Sequence, residues 1–160
     1  MNIFVIGVGL IGGSLALDIQ KEYPEANIYG IDADDNHLKE AQELGVIHKK
    51  AKFADLKNAD IVIVSIPVDV QLEIIPTVLN EINDNTLVLD VGSTKQEICK
   101  VLENHPKRRN FLATHPIAGT EFSGPKAALK GLFKNKTNII YYSLDRIIST
   151  NCILESILWL

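Results

Sequence analysis

The sequence has few of the residues that build disulfide frameworks and metal sites. It contains two cysteines, Cys99 and Cys152, which lie far apart and outside any C-x-x-C pattern. Its four scattered histidines form no H-x-x-x-H or H-E-x-x-H pair. We therefore expect both cysteines to be reduced and structural, and we expect no metal site.

Long apolar runs and large basic clusters are also missing. No apolar run approaches the roughly 20 residues that span a bilayer, and no charged region precedes the first apolar residues. The net charge is −4, and the largest basic cluster is Lys107 to Arg109. These features argue against nucleic acid or a membrane as the main partner. They predict a cytoplasmic protein, and a chain of 160 residues is expected to form one domain.

The N-terminal stretch combines a short apolar run with a glycine-rich turn that leads into a helical pattern. Residues 3–6 are predicted to form a buried strand. Gly7, Gly9 and Gly12 then match G-x-G-x-x-G. In this pattern the glycines permit, in turn, a tight turn, the approach of a pyrophosphate to the backbone, and close packing of helix on strand. The pyrophosphate is expected at the helix N-terminus, which attracts anions. The predicted cofactor-binding residues of the turn are Gly7, Gly9, Leu10, Ile11 and Gly12.

A second predicted strand, residues 27–31, ends at Asp32, which lies 20 residues beyond Gly12. At about this spacing an acidic residue accepts hydrogen bonds from the adenosine ribose hydroxyls. A carboxylate there repels a 2′-phosphate, so the predicted cofactor is NAD rather than NADP. The alternative is that Asp32 is only a turn residue at a strand end.

Strand and helix signals alternate along the rest of the chain. This alternation predicts an α/β fold, namely a Rossmann-type, doubly wound, mostly parallel sheet with helices on both faces. Further strands are predicted at residues 61–66, 86–89, 111–114 and 138–142. Helices are predicted at 10–23, at 34–44, at 70–82 with an interruption or restart at Pro76, at 96–102, and as a short segment within 123–136.

Ligands of open α/β sheets bind outside the carboxyl ends of the strands. Pro67 and Val68 follow the most apolar strand and are predicted to line the nicotinamide end of the groove, and Ser65, near the end of that strand, is a further predicted cofactor-binding residue. Pro67 could instead serve only to terminate the strand.

A loop of small and polar residues, DVGSTK at 90–95, follows the next strand. Gly92 is predicted to contact the cofactor, and Ser93 or Thr94 can hydrogen-bond a ligand. Capping of the following helix is the alternative explanation for these two hydroxyls.

His115 ends the strand predicted at 111–114 and is followed by Pro116. It is expected on the same rim as the glycine turn and the Ser93 loop. Histidine can be neutral at working pH, so it can take a proton from a substrate hydroxyl. A lone histidine is more often structural, and the rim position is what favours the catalytic interpretation.

Three segments together resemble the prephenate dehydrogenase family, including its arogenate-using members. These are GVGLIGGSLA at 7–16, DVGSTK at 90–95 and HPIAGTEFSG at 115–124, of which HPIAG is the most specific. The resemblance extends from Met1 to about Asn138 and implies the NAD-binding half of that family. Residues 1–142 are thus the expected Rossmann domain.

The resemblance implies that His115 is the catalytic histidine, which assists deprotonation of the ring C4 hydroxyl of prephenate as hydride passes to NAD+. Ser93 is implied to contact the same hydroxyl and to orient His115 and the nicotinamide. Thr120 and Glu121 are implied at the mouth of the substrate pocket, although Glu121 could be a solvated turn residue. The implied product is 4-hydroxyphenylpyruvate, a precursor of tyrosine.

Family members normally continue into a helical second domain that dimerises and supplies most basic residues for the substrate carboxylates. The resemblance therefore implies a homodimer. Residues 143–160 are predicted to form an apolar helix, a truncated or atypical start of that domain. Whether the substrate is prephenate or arogenate stays open.

Two other functions also stay open. Another NAD(P) dehydrogenase could share the N-terminal fold, but DVGSTK followed by HPIAG argues against it. A binding or sensing module could hold NAD without turnover, and the short length favours this alternative. His115 argues against it, because a sensor needs no imidazole beside the nicotinamide.

Overall fold

The computed structural model describes residues 1–141. The helix predicted at 143–160 and Cys152 lie outside these residues. Seven strands form one sheet within the described part, together with four α-helices and three short 3₁₀ helices. The strands are β1 (Asn2–Ile6), β2 (Asn27–Ile31), β3 (Lys49–Lys50), β4 (Ile61–Val64), β5 (Leu87–Asp90), β6 (Phe111–Pro116) and β7 (Asn138–Tyr141). The helices are α1 (Leu10–Glu22), α2 (Asp35–Glu43), α3 (Val68–Glu81) and α4 (Gln96–Val101), with 3₁₀ helices at Phe53–Asn58, Arg108–Asn110 and Pro125–Ala127.

The strand order is β3-β2-β1-β4-β5-β6-β7. All neighbouring strands are parallel except β6 and β7, which are antiparallel. The chain builds outward from β1 in one direction and, after β3, returns to continue from β4 in the other. The carboxyl ends of β1 and β4 therefore flank a topological switch point, where sheets of this kind bind ligands.

Two hydrophobic cores cover the two faces of the sheet. Alternate residues of β1 enter different cores, Ile3 and Val5 on the face covered by α1 and α2, and Phe4 and Ile6 on the face covered by α3 and α4. This alternation follows from the two-residue period of a strand. Burial on both faces also explains why β4 reads as an uninterrupted apolar run, Ile61–Val64, with all four residues buried. The predicted Rossmann-type fold is confirmed.

Helix α3 differs from its prediction. It begins at Val68 and runs to Glu81 without a break at Pro76, which lies inside it. A proline in a helix interior costs about 3 kcal/mol. The residues Ile75, Val78 and Leu79 around it are fully buried against the sheet, and burying such a side chain contributes about 1.5–3 kcal/mol. Packing on the sheet therefore outweighs the lost hydrogen bond.

The short helix predicted within 123–136 is wrong except for the single 3₁₀ turn at Pro125–Ala127. Gly124, Gly131 and Asn135 all have positive φ angles, of 79°, 75° and 60°, which a right-handed helix cannot contain. Two backbone N–H groups of this segment instead donate hydrogen bonds to side chains on α1. Within residues 1–141, no helix is both long and apolar enough to cross a membrane.

Candidate functional site

The glycine-rich turn joins β1 to α1 beside the end of β4. Gly7 has φ +89°, and a Cβ there would lie 2.8 Å from the carbonyl carbon of Ser65. A Cβ on Gly12 would overlap the carbonyl oxygen of Gly7 and lie 3.0 Å from Ser65 Cβ and from Val5 Cγ1. The tight-turn role of Gly7 and the packing role of Gly12 are therefore confirmed.

Gly9 has a different environment. A Cβ there would have one neighbour within 4 Å, the backbone nitrogen of Gly124 at 3.9 Å. Helix α1 begins at the next residue, Leu10, and within residues 1–141 no side chain caps it and its first turn holds no acidic residue. Among the described residues, the positive dipole end of α1 therefore has neither a capping side chain nor a carboxylate in its first turn, and Gly9 places no side chain beside it. This arrangement fits the pyrophosphate of a dinucleotide.

Asp32 connects the ends of β1 and β2. Its Oδ2 accepts a hydrogen bond from Val8 N at 3.0 Å, and its Oδ1 accepts one from Asp34 N at 3.0 Å. His37 Nδ1 lies 3.6 Å from Oδ1. The side chain is 12% exposed, so it is held in place at the rim while remaining accessible. Asp32 is thus a turn residue, and its predicted role toward the ribose stays a prediction that this geometry permits.

Three predicted residues lie across the switch point from the glycine turn. Ser65 continues the pairing beyond β4, since its N–H donates to the Ile6 carbonyl at 2.8 Å. Pro67 is exposed and precedes α3, where its carbonyl accepts a hydrogen bond from Gln71 N at 3.1 Å. Pro67 therefore ends the strand segment and starts a helix, and Ser65 and Val68 are half-buried. The place of these three residues beside the nicotinamide stays a prediction.

The loop after β5 packs on the first turn of α3. Gly92 is buried, and a Cβ there would lie 2.9 Å from Gln71 Nε2 and 3.2 Å from Val68 Cγ2. Ser93 and Thr94 are exposed, and the N-cap position of α4 is occupied by Lys95. The capping explanation for the two hydroxyls is therefore wrong, and Ser93 is available at the rim.

A buried ion pair spans the two ends of this loop. Asp90 and Lys95 are both buried, and Lys95 Nζ donates to Asp90 Oδ2. Oδ2 also accepts from Gly92 N at 3.3 Å, whereas Oδ1 accepts from Thr114 N at 3.3 Å. Thr114 Oγ1 donates to the Asp90 carbonyl at 2.6 Å. Asp90 therefore links its own loop to β6.

Burial determines the electrostatics of this pair. It raises the pKa of the Asp90 carboxyl, although Lys95 and two backbone N–H groups oppose the shift. It also lowers the pKa of the Lys95 ammonium, against the attraction of Asp90. For each group the loss of hydration outweighs the attraction of its partner.

His115 lies within β6, which runs to Pro116, two residues beyond the predicted end. The half-buried histidine pairs with Ile139 on β7, so its backbone is fixed inside the sheet. Asp90 is opposite Ala113 in the β5–β6 register. This register places His115 at the same sheet edge as the loop that carries Ser93.

The predicted pocket-mouth residues lie in the loop that follows β6. Thr120 and Glu121 are exposed. The Thr120 hydroxyl accepts a hydrogen bond from Phe122 N at 3.2 Å, so it stabilises a local turn. Neither the substrate role of Thr120 nor that of Glu121 follows from these contacts, and both stay predictions.

The segment after this loop is tied to α1. Leu129 N donates to Ser14 Oγ at 2.9 Å, and Gly131 N donates to Asp18 Oδ1 at 2.6 Å. Both side chains are buried. These contacts hold the segment across the helix whose N-terminus forms the predicted pyrophosphate site.

Four residues of the site region were not assigned roles from the sequence. In the sequence they stand out only as polar residues among apolar neighbours. Two of them lie in the helical pattern of α1, and two lie at the ends of a loop beside a core strand. That signal does not reveal the partners, because these lie up to 115 residues away in sequence. The four residues are Ser14, Asp18, Asp90 and Lys95.

Among residues 1–141 there is no group of three or more potential metal-ligating side chains.

Comparison with known proteins identifies the family. Residues 15–143 match the family described as prephenate dehydrogenase, nucleotide-binding domain. The chain belongs to this family. The matched segment contains β2 to β7 and both distinctive loops, DVGSTK and HPIAG. The resemblance to prephenate dehydrogenases is thereby confirmed, and the family is one of oxidoreductases.

Individual relatives agree with this assignment. The prephenate dehydrogenase of Bacillus subtilis (strain 168) is 39% identical over 143 residues, which are 87% of this chain and 38% of that protein. The prephenate dehydrogenase of Aquifex aeolicus in complex with hydroxyphenyl propionate and NAD+ has a TM-score of 0.88 at 30% identity, covering 99% of this chain and 56% of that one. The arogenate dehydrogenase of Synechocystis has a TM-score of 0.88 at 25% identity, with the same coverage.

The chain thus spans less than two thirds of these prephenate and arogenate dehydrogenases. The nucleotide-binding family and the NAD+ in the Aquifex structure support the predicted cofactor. The homodimer and the cytoplasmic location stay predictions.

Proposed function

We propose that this chain is the cofactor-binding and hydroxyl-deprotonating part of an NAD-dependent prephenate dehydrogenase. One observation supports this function above the others, the position of His115. It lies in β6 at the carboxyl edge of the sheet, beside the Ser93 loop and on the same edge as the glycine turn. A module that only stores NAD has no use for an imidazole there.

The residues of the switch point fit NAD. The side-chain-free backbone at Gly9 and the uncapped start of α1 receive the pyrophosphate, with Leu10 and Ile11 in the first helical turn. Asp32 accepts the ribose hydroxyls and disfavours a 2′-phosphate. Ser65, Pro67, Val68 and Gly92 border the nicotinamide end. NAD+ supplies a hydride acceptor when bound.

The protein then has two tasks, to hold the C4 hydrogen of the substrate toward that acceptor and to take one proton. Ser93 contacts the C4 hydroxyl and orients it. His115 accepts the hydroxyl proton as hydride leaves C4, which produces a ring ketone. Loss of the ring carboxylate as carbon dioxide then aromatises the ring and leaves its electron pair on the former ketone oxygen, which takes back a proton to give 4-hydroxyphenylpyruvate. Aromatisation supplies much of the driving force.

Prephenate and arogenate differ by a keto or amino group remote from C4, and solved relatives are named for either substrate. Thr120 and Glu121 are proposed to border the mouth of the pocket. We propose prephenate as the substrate, with arogenate as the alternative.

Turnover of prephenate with NAD+, followed by the absorbance of NADH, tests this function in parallel with NAD binding by calorimetry. The informative variant is His115→Asn, which removes the base at similar size. We expect kcat to fall about 10²–10⁴-fold, the usual contribution of a general base. NAD affinity should stay within about threefold, since the imidazole is not assigned to the cofactor.

A matched control is His105→Asn. His105 lies between α4 and β6, and its Nδ1 accepts a hydrogen bond from Lys107 N at 3.1 Å, which an asparagine oxygen can replace. Its kcat should equal that of the parent. Parent turnover that survives His115→Asn would refute the assigned role. NAD binding without any turnover in the parent would favour the alternative of a cofactor-binding or sensing module.

A further inference from the structure

The loop that carries Ser93 is closed by a charged contact between its two ends. Asp90 is the last residue of β5, and Lys95 immediately precedes α4. Their side chains meet in the interior, and Gly92 N also donates to the same carboxylate oxygen, at 3.3 Å. The four intervening residues are therefore held as a ring whose exposed members are Ser93 and Thr94.

The second oxygen of Asp90 reaches the neighbouring strand. Oδ1 accepts from Thr114 N at 3.3 Å, and the Asp90 carbonyl accepts from Thr114 Oγ1 at 2.6 Å. Thr114 directly precedes His115 and is 2% exposed. One buried carboxylate thus contacts the backbones that carry Ser93 and His115.

The geometry distinguishes this pair from an apolar pair of similar volume. Buried ion pairs replaced by apolar residues are often equally stable or more stable, but apolar residues would make no hydrogen bonds to Gly92 N and Thr114 N. What the charged pair adds is therefore the contact between the Ser93 loop and the strand that carries His115.

We propose that Asp90 and Lys95 are positioning residues, whose buried ion pair holds the Ser93 hydroxyl and the His115 imidazole in the relative arrangement that substrate deprotonation requires. The inference rests on the proposed function of these two residues. Lys95 fixes the carboxylate of Asp90 through Oδ2, and the carboxylate then fixes Gly92 and Thr114 through their N–H groups. Neither Asp90 nor Lys95 contacts the substrate.

The decisive variant is the double replacement Asp90→Leu with Lys95→Met, studied in the full chain. Each single replacement leaves one buried charge unpaired and should lower the Tm strongly, whereas the Tm of the double variant should lie closer to that of the parent than either single variant does. In the double variant we expect the Gly92 and Thr114 amides to exchange with solvent about tenfold faster or more. The His115 imidazole signals in NMR spectra should also move.

Kinetics provide the second measurement. If the parent turns over prephenate, the double variant should lose about tenfold or more in kcat, with the KM for NAD+ changed less than about threefold. A parent without turnover contradicts the proposed function only, because the amide and imidazole signals report positioning independently of activity.

Val78→Ala is the matched control. Val78 is fully buried in the C-terminal half of α3, so its truncation lowers stability without touching either loop. It should leave the His115 signals and kcat unchanged. A double variant with the stability, amide protection and imidazole signals of the parent would overturn the proposal.

A further variant decides the matter if the double replacement does not fold. Asp90→Asn with Lys95→Met keeps the size of both side chains and leaves an amide oxygen that can accept from Thr114 N, but it removes the ion pair. It should move the His115 signals and speed the exchange of the Gly92 amide. Unchanged His115 signals in this variant would also overturn the proposal.

Discussion

Alanine substitutions at two glycines of the N-terminal turn, Gly9 and Gly12, should have opposite effects although the residues lie three positions apart. One should lower stability, and the other should weaken NAD binding. A methyl group on Gly12 would overlap the carbonyl oxygen of Gly7 and lie 3.0 Å from Ser65 Cβ and Val5 Cγ1, where carbon atoms normally lie about 3.5–4.0 Å apart. The start of α1 must therefore shift away from β1. A methyl group on Gly9 meets one atom within 4 Å, Gly124 N, at the ordinary contact distance of 3.9 Å.

For Gly12→Ala, overpacking typically costs about 1–3 kcal/mol, and a contact with rigid backbone places this site at the upper end of that range. The higher helix propensity of alanine returns about 1 kcal/mol. The net loss of about 1–2 kcal/mol lowers the Tm by roughly 2–8 °C for a chain of this size. For Gly9→Ala the backbone angles, φ −76° and ψ −157°, suit alanine, so the free energy of unfolding should change by less than about 1 kcal/mol.

NAD affinity should be more sensitive to Gly9→Ala than to Gly12→Ala, the reverse of the order for stability. Gly9→Ala places a methyl group where the pyrophosphate is proposed to approach the backbone, and we expect NAD affinity to fall about tenfold or more, or about 1.4 kcal/mol. Thermal unfolding and calorimetry on the same preparations give both quantities. A Gly9→Ala variant that binds NAD as well as the parent would refute the pyrophosphate site. An unchanged Tm for Gly12→Ala would refute the packing argument.

Three further predictions concern charged groups. Asp32→Asn should reduce the preference for NAD over NADP about tenfold in calorimetric titrations with both cofactors, because the carboxylate no longer repels a 2′-phosphate; an unchanged ratio would contradict the ribose role. Asp18→Ala should lower the free energy of unfolding in urea by about 1–3 kcal/mol, because Gly131 N loses a charged acceptor at 2.6 Å; an unchanged midpoint would contradict this. The stability of the parent relative to Asp90→Leu with Lys95→Met should be lowest near neutral pH. Because the pKa of Asp90 is raised, the free energy of unfolding of the parent relative to the double variant should fall as the pH rises from 3.8, the ordinary pKa of the carboxyl. Because the pKa of Lys95 is lowered, the same difference should rise again as the pH approaches 10.5. A difference that does not change between these pH values would contradict the two shifts.

Local chemistry allowed the sequence to determine the elements around the cofactor site. The turn at Gly7 needs a positive φ, and the packing at Gly12 needs the absence of a side chain, so glycine was required at both positions. Parallel strands buried on both faces must be continuously apolar, which made β1 and β4 recognisable. The alternation of strands and helices then fixed the carboxyl edge as the place for Asp32, Ser93 and His115.

Tertiary contacts decided what local patterns could not. The segment 123–136 contains helix-forming residues, but Ser14 and Asp18 attract its N–H groups, and this competition involves residues more than 100 positions away. Helix α3 continues through Pro76 because side chains on both sides of the proline are buried against the sheet, and this burial stabilises the helix.

The Asp90–Lys95 pair illustrates the same limit at the candidate site. The sequence shows two opposite charges at the ends of a loop, which is common on protein surfaces. Only the packing of β5 between β4 and β6 removes both groups from water and turns Asp90 toward Thr114. Desolvation depends on neighbours that the fold brings together, so sequence alone identified the loop but not the contact that holds it.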